Sequence, residues 1–453
     1  MKPLFAAILL SFLILSPLVA QKRASKPAAQ ALASHQLLSL KVTGTSRYTD
    51  QEILAASGLQ IGQEAADADF KEAAQRLGES GLFSDVVYSF TYSDAGIKLE
   101  FQLTDNPSIK LVPAYFENFV WFSDADLFSA LRQRVPLFKE LLPVSGQLPD
   151  RVSDALQALL LDRHFPGRVD YLREGKQDGG DIISVSYRVE DVSIRIRSVD
   201  FPGATPGQAA FLARAAHSLL DGDYYRSKCA AVARYELLPQ YLARGYLKAV
   251  FASSEARILP AALGTESKAG ETATESEALS EIVVDALIPV TPGNVYSVSG
   301  LSWKGNSAIS TEEASRLLHL AKDRPADAVQ LLADVENLVK LYHSRGYMTA
   351  QIKPDAELND ENNTVRYAIE ISEGDVYRMG ELEILGVDSG SRDRLREAWT
   401  LREGQPYNAD YTKKFLENAP RLLPKGAQFS VNVSEELDRK EKLVDVTIRF
   451  KMS

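Results

Sequence analysis

The stretch 338–355, LVKLYHSRGYMTAQIKPD, decides how the rest of the chain is read. Leading into it, Leu331, Leu332, Val335, Leu338, Val339 and Tyr342 recur at helical spacing, which gives a helix one apolar face. Gly346 follows the last periodic residue, where helices commonly end in a left-handed conformation that glycine adopts most cheaply. Beyond it the period falls to two, with Thr349, Gln351 and Lys353 alternating with Ala350 and Ile352 as in a half-buried strand. The same hinge occurs at 238–254, LPQYLARGYLKAVFASS, and at 73–90, AAQRLGESGLFSDVVYSF. A recurrence of that kind marks a repeat architecture.

Working outward from the hinge, the chain reads as five units of order β-α-α-β-β, an α+β fold. The first, 37–106, has a strand through Leu38, Leu40 and Val42. A helix capped by Thr49 with Glu52 at the capping-box position follows, then a second helix opened by Asp67 or Asp69. Strands 86–92 and 97–104 close the unit around the turn Ser93-Asp94-Ala95-Gly96. The second, 107–191, is degenerate: its helix 152–161 ends in DRHFPGRV where the others have RGY. The third, 192–291, has helices from 208–220 and up to Arg244-Gly245-Tyr246, a strand 247–253, and an insertion at 261–280. That insertion has few large apolar residues and is expected to be a mobile loop. The fourth, 292–373, has a helix capped by Ser310 or Thr311. The fifth, 374–453, has the turn Glu403-Gly404-Gln405-Pro406-Tyr407 and strands 428–434 and 443–451.

Composition narrows the function. Hydrophobic residues are 45% and charged residues 25% of 453, the balance of a folded soluble protein. A net charge of −10 argues against nucleic acid, whose phosphates need Lys and Arg, and against general binding to anionic membranes. Residues 1–20 read as a cleavable signal peptide: Lys2, an apolar run from Leu4 to Leu15, then small residues before Gln21. Residues 21–36 read as a flexible leader. The single cysteine, Cys229, leaves no internal disulfide and sits on an expected amphipathic helix, as a small buried hydrophobe.

The segments VSGLSWKGNSAIS, GQPYNADYTKKFLENAPRLL and YHSRGYMTAQI resemble POTRA domains, the polypeptide-transport-associated repeats. They are similar to those of the outer-membrane insertase family (BamA, TamA and two-partner secretion transporters). The shared pieces are an entry strand with V-x-G or I-x-G, a G-x-x-[YA] turn before the second helix, and the R-G-Y hinge. The resemblance runs from about residue 37 to 453 and is degenerate in the second unit. Family members usually continue into an outer-membrane barrel. Nothing barrel-like follows the fifth unit, so a POTRA array without a barrel of its own is expected.

The resemblance implies a three-stranded sheet covered by two helices, with the strand after the hinge at an open edge. Extended polypeptide can pair along such an edge by β-augmentation. The candidate pairing residues are Thr349, Gln351 and Lys353; Leu247, Ala249 and Phe251; and Gln428, Ser430 and Asn432. The matching edges of the first two units are 86–92 and 169–173. Every exposed sheet has edges, and Lys248, Lys353 and Arg173 serve equally well as charges that blunt them. Gly245, Tyr246, Gly346 and Tyr347 are read as a structural hinge. The aromatic run with Tyr115, Phe119 and Trp121 is a candidate partner patch, or else core and inter-repeat packing.

The five histidines are scattered, and no metal, nucleophile or phosphate-loop motif stands out, so no cofactor is expected. The expectation is a non-enzymatic array in the periplasm or on the periplasmic face of the outer membrane. It would bind unfolded or nascent outer-membrane polypeptides, or a separately encoded outer-membrane barrel protein, touching the membrane at most through that partner. The rival readings are a structural envelope scaffold with one fixed partner, and a hydrolase with an unrecognised site.

Overall fold

The computed structural model describes residues 35–176, 180–259, 280–424 and 428–452. The expected signal peptide at 1–20, most of the leader and nearly all of the insertion at 261–280 lie outside the described residues. The fold is mixed α+β. Its sheets of three or four strands follow one another along the chain, each with helices from the same stretch of sequence.

The first sheet forms from β1 (His35–Thr43), β2 (Glu64–Ala65), β3 (Phe83–Ser93) and β4 (Gly96–Asp105), with α1 (Asp50–Ser57) and α2 (Asp67–Glu79) between them. Thr49 caps α1 in a capping box with Glu52, as expected, and the Asp69 carboxylate accepts the Ala66 N–H to open α2. His35 and Gln36 pair with Ala65 and Glu64, so the sheet begins inside the expected leader. The strand order is β2-β1-β4-β3, with β1 parallel to β4 and β3 antiparallel at the edge. A bulge at Leu38 turns Leu37 into the core as a fully buried residue, while Leu38, Leu40 and Val42 are only half-buried.

The second repeat contains β5 (Leu111–Phe116), α3 (Asp124–Arg134), β6 (Leu141–Pro143), α4 (Leu148–Asp162), β7 (Arg168–Gly175) and β8 (Ile182–Glu190), in sheet order β6-β5-β8-β7. Backbone contacts group the chain into two compact units divided within this repeat. The repeats after it lie together in one unit.

The third repeat departs most from expectation. It has β9 (Val192–Asp200), α5 (Pro206–Ala215), α6 (Arg226–Val232), a π turn over Ala233–Leu237, and α7 (Leu238–Leu242). The chain after Gly245 does not enter the sheet directly. Leu247 N–H donates to the Gly245 carbonyl and Ala249 N–H to that of Tyr246, so this stretch is a turn. β10 (Val250–Phe251) pairs in a small ribbon with β13 (Val290–Thr291). The sheet edge is β11 (Glu255–Ile258), beside β12 (Ser280–Leu287), in order β11-β12-β9. The expected strand 247–253 is therefore corrected: the residues that continue it in the sheet lie further along.

The fourth repeat has β14 (Ser297–Lys304), α8 (Thr311–Ser315), α9 (Ala328–His343), β15 (Gln351–Asn359) and β16 (Thr364–Ser372). The fifth has β17 (Arg378–Leu385), α10 (Ser389–Ala398), α11 (Ala409–Asn418), β18 (Phe429–Asp438) and β19 (Leu443–Met452). Their orders, β14-β16-β15 and β17-β19-β18, place the strand after each second helix at the edge. Ser310 is the cap of α8, its hydroxyl accepting the Glu313 N–H. One glycine recurs just past the first strand. A Cβ on Gly305 would stand 2.1 Å from the Ile371 carbonyl oxygen, and Gly44, Gly203 and Gly386 have the same relation to Leu103, Val290 and Phe450. That close approach, rather than a turn alone, explains the glycine of the entry motif in Val42-Thr43-Gly44 and Ile384-Leu385-Gly386, and the glycines that follow Phe201-Pro202 and Trp303-Lys304 in the third and fourth repeats.

Candidate polypeptide-pairing edges

The structure places the nominated pairing residues unequally. In β15, Gln351 is the first residue and Lys353 is exposed, while Thr349 falls before the strand. In β18, Ser430 and Asn432 are exposed and Gln428 immediately precedes the strand. Leu247 and Ala249 are corrected: neither is in a strand, and Ala249 is buried in the core of the third repeat. Phe251 lies in β10, paired with Val290, and packs against the same core.

The edges also differ in what they offer. Pro354 sits inside β15, opposite Ile369, and supplies no N–H. Proline is tolerated on an edge where its nitrogen faces solvent, so it removes a donor from an incoming strand. β3 and β18 contain no proline. Each is flanked by a groove against the second helix of its repeat. In the fifth repeat the groove is about 490 Å³, lined by Ala409, Thr412, Lys413 and Leu416 of α11 and by Val433 and Glu435 of β18. In the first it is about 390 Å³, with Lys71, Ala74 and Gly78 of α2 facing Phe83, Val86 and Tyr88 of β3. Val431 of β18 and Val87 of β3 are exposed apolar residues on these strands.

The hinge residues form joints. Gly245 and Gly346 have φ of +86° and +90°. Tyr246 and Tyr347 turn their rings edge-on to Tyr241 and Tyr342, at 5.2 and 5.9 Å, within their own repeats. The next residue goes the other way: Leu247 packs against the core of the fourth repeat and Met348 against that of the fifth. The Gly245 carbonyl accepts the Tyr296 N–H at 2.8 Å and the Gly346 carbonyl accepts the Tyr377 N–H at 2.8 Å, with both tyrosines at the entry of the following repeat. Lys248, one of the charges expected to blunt an edge, instead bonds Asp360 at 2.6 Å, and the Tyr296 hydroxyl joins them at 2.6 Å. That bonding raises the Lys248 ammonium above its usual range and holds the Asp360 carboxyl below its own. In the first repeat, Gly81 at the matching place abuts Ser145 and Gly146. Sequence reasoning missed Leu247 and Met348 as joint residues; the available signal was an apolar residue after the hinge tyrosine in both copies.

The aromatic run is not one surface patch. Tyr115 is 51% exposed, Phe119 is buried against Phe116, and Trp121 stacks on Phe165 at 5.0 Å while packing against the core of the third repeat. Among the described residues no cluster of three His, Cys, Asp or Glu side chains is placed to hold a metal ion, and no helix is long and apolar enough to cross a membrane.

Residues 296–374 match the POTRA family model, described as a surface antigen variable number repeat. The fourth repeat is a POTRA domain, and the strand order on either side of it follows the same plan. Among solved structures, BamA POTRA3-5 of Haemophilus influenzae aligns at 17% identity over 57% of this chain and 96% of that one, with a TM-score of 0.42. BamA of Haemophilus ducreyi lacking POTRA domains 1-3 aligns at 18% identity over 35% and 30%, with a TM-score of 0.30. The N-terminal domain of Omp85 from Thermosynechococcus elongatus aligns at 15% identity over 57% and 97%, with a TM-score of 0.23. Scores at this level leave the assignment to the family model and to the repeat geometry.

Proposed function

We propose that this protein is a non-enzymatic, polypeptide-binding POTRA array of the bacterial envelope. It acts in the periplasm in outer-membrane protein assembly or polypeptide translocation. An extended client, or an extended segment of a separately encoded barrel protein, adds a strand to an open sheet edge. The observation that carries this reading is the recurrence, beside a segment matching the POTRA family, of an open edge strand with a groove against the second helix, at β18 and at β3.

The physics suits varied clients. Main-chain hydrogen bonds do not read sequence, and each is worth about 1 kcal/mol net, so a single edge holds a client weakly. Several edges on one chain raise the effective concentration at the next. Pro354 makes β15 the poorer edge, so β18 and β3 are the working ones in this proposal.

The test uses the whole chain and a denatured outer-membrane polypeptide as probe. Asn432→Pro and Val433→Pro are made singly, because neighbouring residues of a strand point their N–H groups to opposite sides. The variant that retains its circular dichroism spectrum should bind roughly tenfold or more weakly, the loss of one or two bonds. Unchanged binding by that variant, with the matching proline variants of β3 also silent, overturns edge pairing. Capture of one folded partner in place of unfolded clients would favour a scaffold.

A further inference from the structure

We propose that Gln157 is a plug that keeps the β7 edge of the second repeat shut, and that taking it out uncovers a third edge for extended polypeptide. The proposal rests on the edge-pairing reading given above. β7 lies at the edge of its sheet, in the order β6-β5-β8-β7, and contains no proline, so it stands on the same terms as β3 and β18. Its backbone, however, is already engaged. The Val169 N–H donates to Gln157 Oε1 at 2.8 Å, and Gln157 Nε2 donates to the Gly167 carbonyl oxygen at 3.4 Å. One side-chain amide thus bridges an N–H and the carbonyl two residues before it, as a single residue of a parallel strand does. Two residues on, the Tyr171 N–H donates to Asp170 Oδ1 at 2.8 Å. Val169 and Tyr171 present their N–H groups on the same side of the strand, so two successive donors that an added strand would use are held by side chains.

The helix position singles out the plug. α2, α4 and α11 bury residues at the same intervals: Phe70, Ala73 and Leu77; Val152, Ala155 and Leu159; Thr412, Phe415 and Ala419. Gln157 then corresponds to Gln75 and Glu417, which line the grooves beside β3 and β18. Gln75 turns along its own helix and donates to Glu79 Oε1 at 2.7 Å. Glu417, once ionised, has acceptors only and could not bridge an N–H and a carbonyl together. Among the described residues of these three repeats, Gln157 alone bonds the edge strand from this position. Pro354 removes a donor from β15 permanently, whereas Gln157 covers one that a change of rotamer gives back.

Hydrogen exchange on the full chain, with and without the denatured outer-membrane polypeptide, tests this. Gln157→Met keeps the length of the side chain and loses its polar atoms. The Val169 amide should exchange roughly tenfold faster in that variant than in the parent. Added polypeptide should slow it again in the variant and leave it unchanged in the parent. Adding Asp170→Ala should extend that protection to Tyr171. If Gln157→Met fails to fold, Gln157→Asn, one methylene too short to bridge both groups, takes its place. Absence of protection in β7 of the folded variant overturns the proposal, as does equal protection of Val169 in the parent. β3 and β18 are read in the same experiment, which keeps the two readings apart. Protection there without any in β7 overturns the plug alone. Protection of β7 in the variant without any in β3 or β18 upholds the plug and removes those two as the working edges; protection in none of the three overturns both.

Discussion

Tyr377 donates its backbone N–H to the carbonyl oxygen of Gly346 at 2.8 Å, and Tyr296 does the same to Gly245 at 2.8 Å. A bond repeated at two joints with the same residue types indicates a common way of joining repeats. It also gives the hinge glycine two separate reasons to be glycine: a φ of +90° at Gly346, and the Tyr377 carbonyl oxygen 2.8 Å from where a Cβ would lie.

Gly346→Ala should therefore lower stability by about 1–3 kcal/mol, the cost of a strained left-handed residue with nowhere to relax. Gly207 is the control, since a Cβ there meets nothing within 4 Å. Gly207→Ala should be neutral or stabilise by about 0.4–1 kcal/mol, by reducing the freedom of the unfolded chain. Urea midpoints of the two variants against the parent protein decide the matter.

Two equivalent tyrosines should respond oppositely to loss of the hydroxyl. Tyr342 donates to Glu373 Oε1 at 3.0 Å, and the same oxygen accepts the Ala308 N–H at 2.8 Å. Burial, with Glu373 beside it, holds the Tyr342 phenol above its usual range. Tyr241, just before the hinge of the third repeat, has a buried hydroxyl with no bonding partner. Tyr342→Phe should cost about 1 kcal/mol, whereas Tyr241→Phe should be neutral or stabilising, because it removes a hydroxyl desolvated without return. Thermal unfolding of the two variants tests the contrast.

Acid should loosen the sheet of the third repeat through Asp285, which is 2% exposed. Its carboxylate accepts from Ser198 Oγ at 2.6 Å, from Arg257 Nη2 at 3.0 Å and from Arg197 Nε at 3.1 Å. The Ser198 bond, then those of Arg257 and Arg197, outweigh burial and hold the carboxyl below its usual range. A depressed carboxyl contributes stability that is fully present above the unfolded value of about 3.9 and is lost as pH falls through the folded one. Hydrogen exchange in β11 and β12, taken relative to the intrinsic amide rate at each pH, should accelerate below about pH 4 in the parent. In Asp285→Asn it should be faster at neutral pH and less dependent on pH, and parallel profiles would remove Asp285 as the cause.

Cys229 should be inert in the folded protein. Burial pushes its thiol up to about 11, and the side chain is fully enclosed in the core of the third repeat. Labelling by a small thiol reagent at pH 8 should be slow in buffer and rapid in urea. Rapid labelling of the native chain would mean that this core opens readily.

Much of the repeat plan was legible because it depends on local chemistry. Thr49 with Glu52, Ser310 with Glu313, and the helix-to-strand change at Gly346 all act within a few residues of sequence. What the sequence left undecided, or misplaced, depends on a distant partner. Leu38, Leu40 and Val42 alternate in sequence, yet the bulge at Leu38 hands the core to Leu37. A bulge is set by the neighbouring strand and leaves no mark in the alternation. Leu247 reads as the first apolar residue of a strand, and only its neighbour in the fourth repeat shows otherwise. For the candidate edges, sequence order located the strands near β15 and β18. It did not separate Pro354 as a block from Lys353 as a surface charge, a distinction that needs the register against Ile369.

The crossing of Leu247 and Met348 bears on how such arrays can be rearranged. Leu247 lies in the chain before the last strands of its own repeat, so no single cut separates the third repeat from the fourth and leaves both complete. Shuffling, duplicating or deleting a repeat, by recombination or by design, thus obeys a neighbour rule. The newcomer must meet an upstream hinge whose residue after the tyrosine is apolar and of suitable size, as Leu247 and Met348 are. Compatibility between adjacent repeats would then be carried by one side chain at each boundary, and a chimaera that ignores it would join two intact folds across an unfilled cavity.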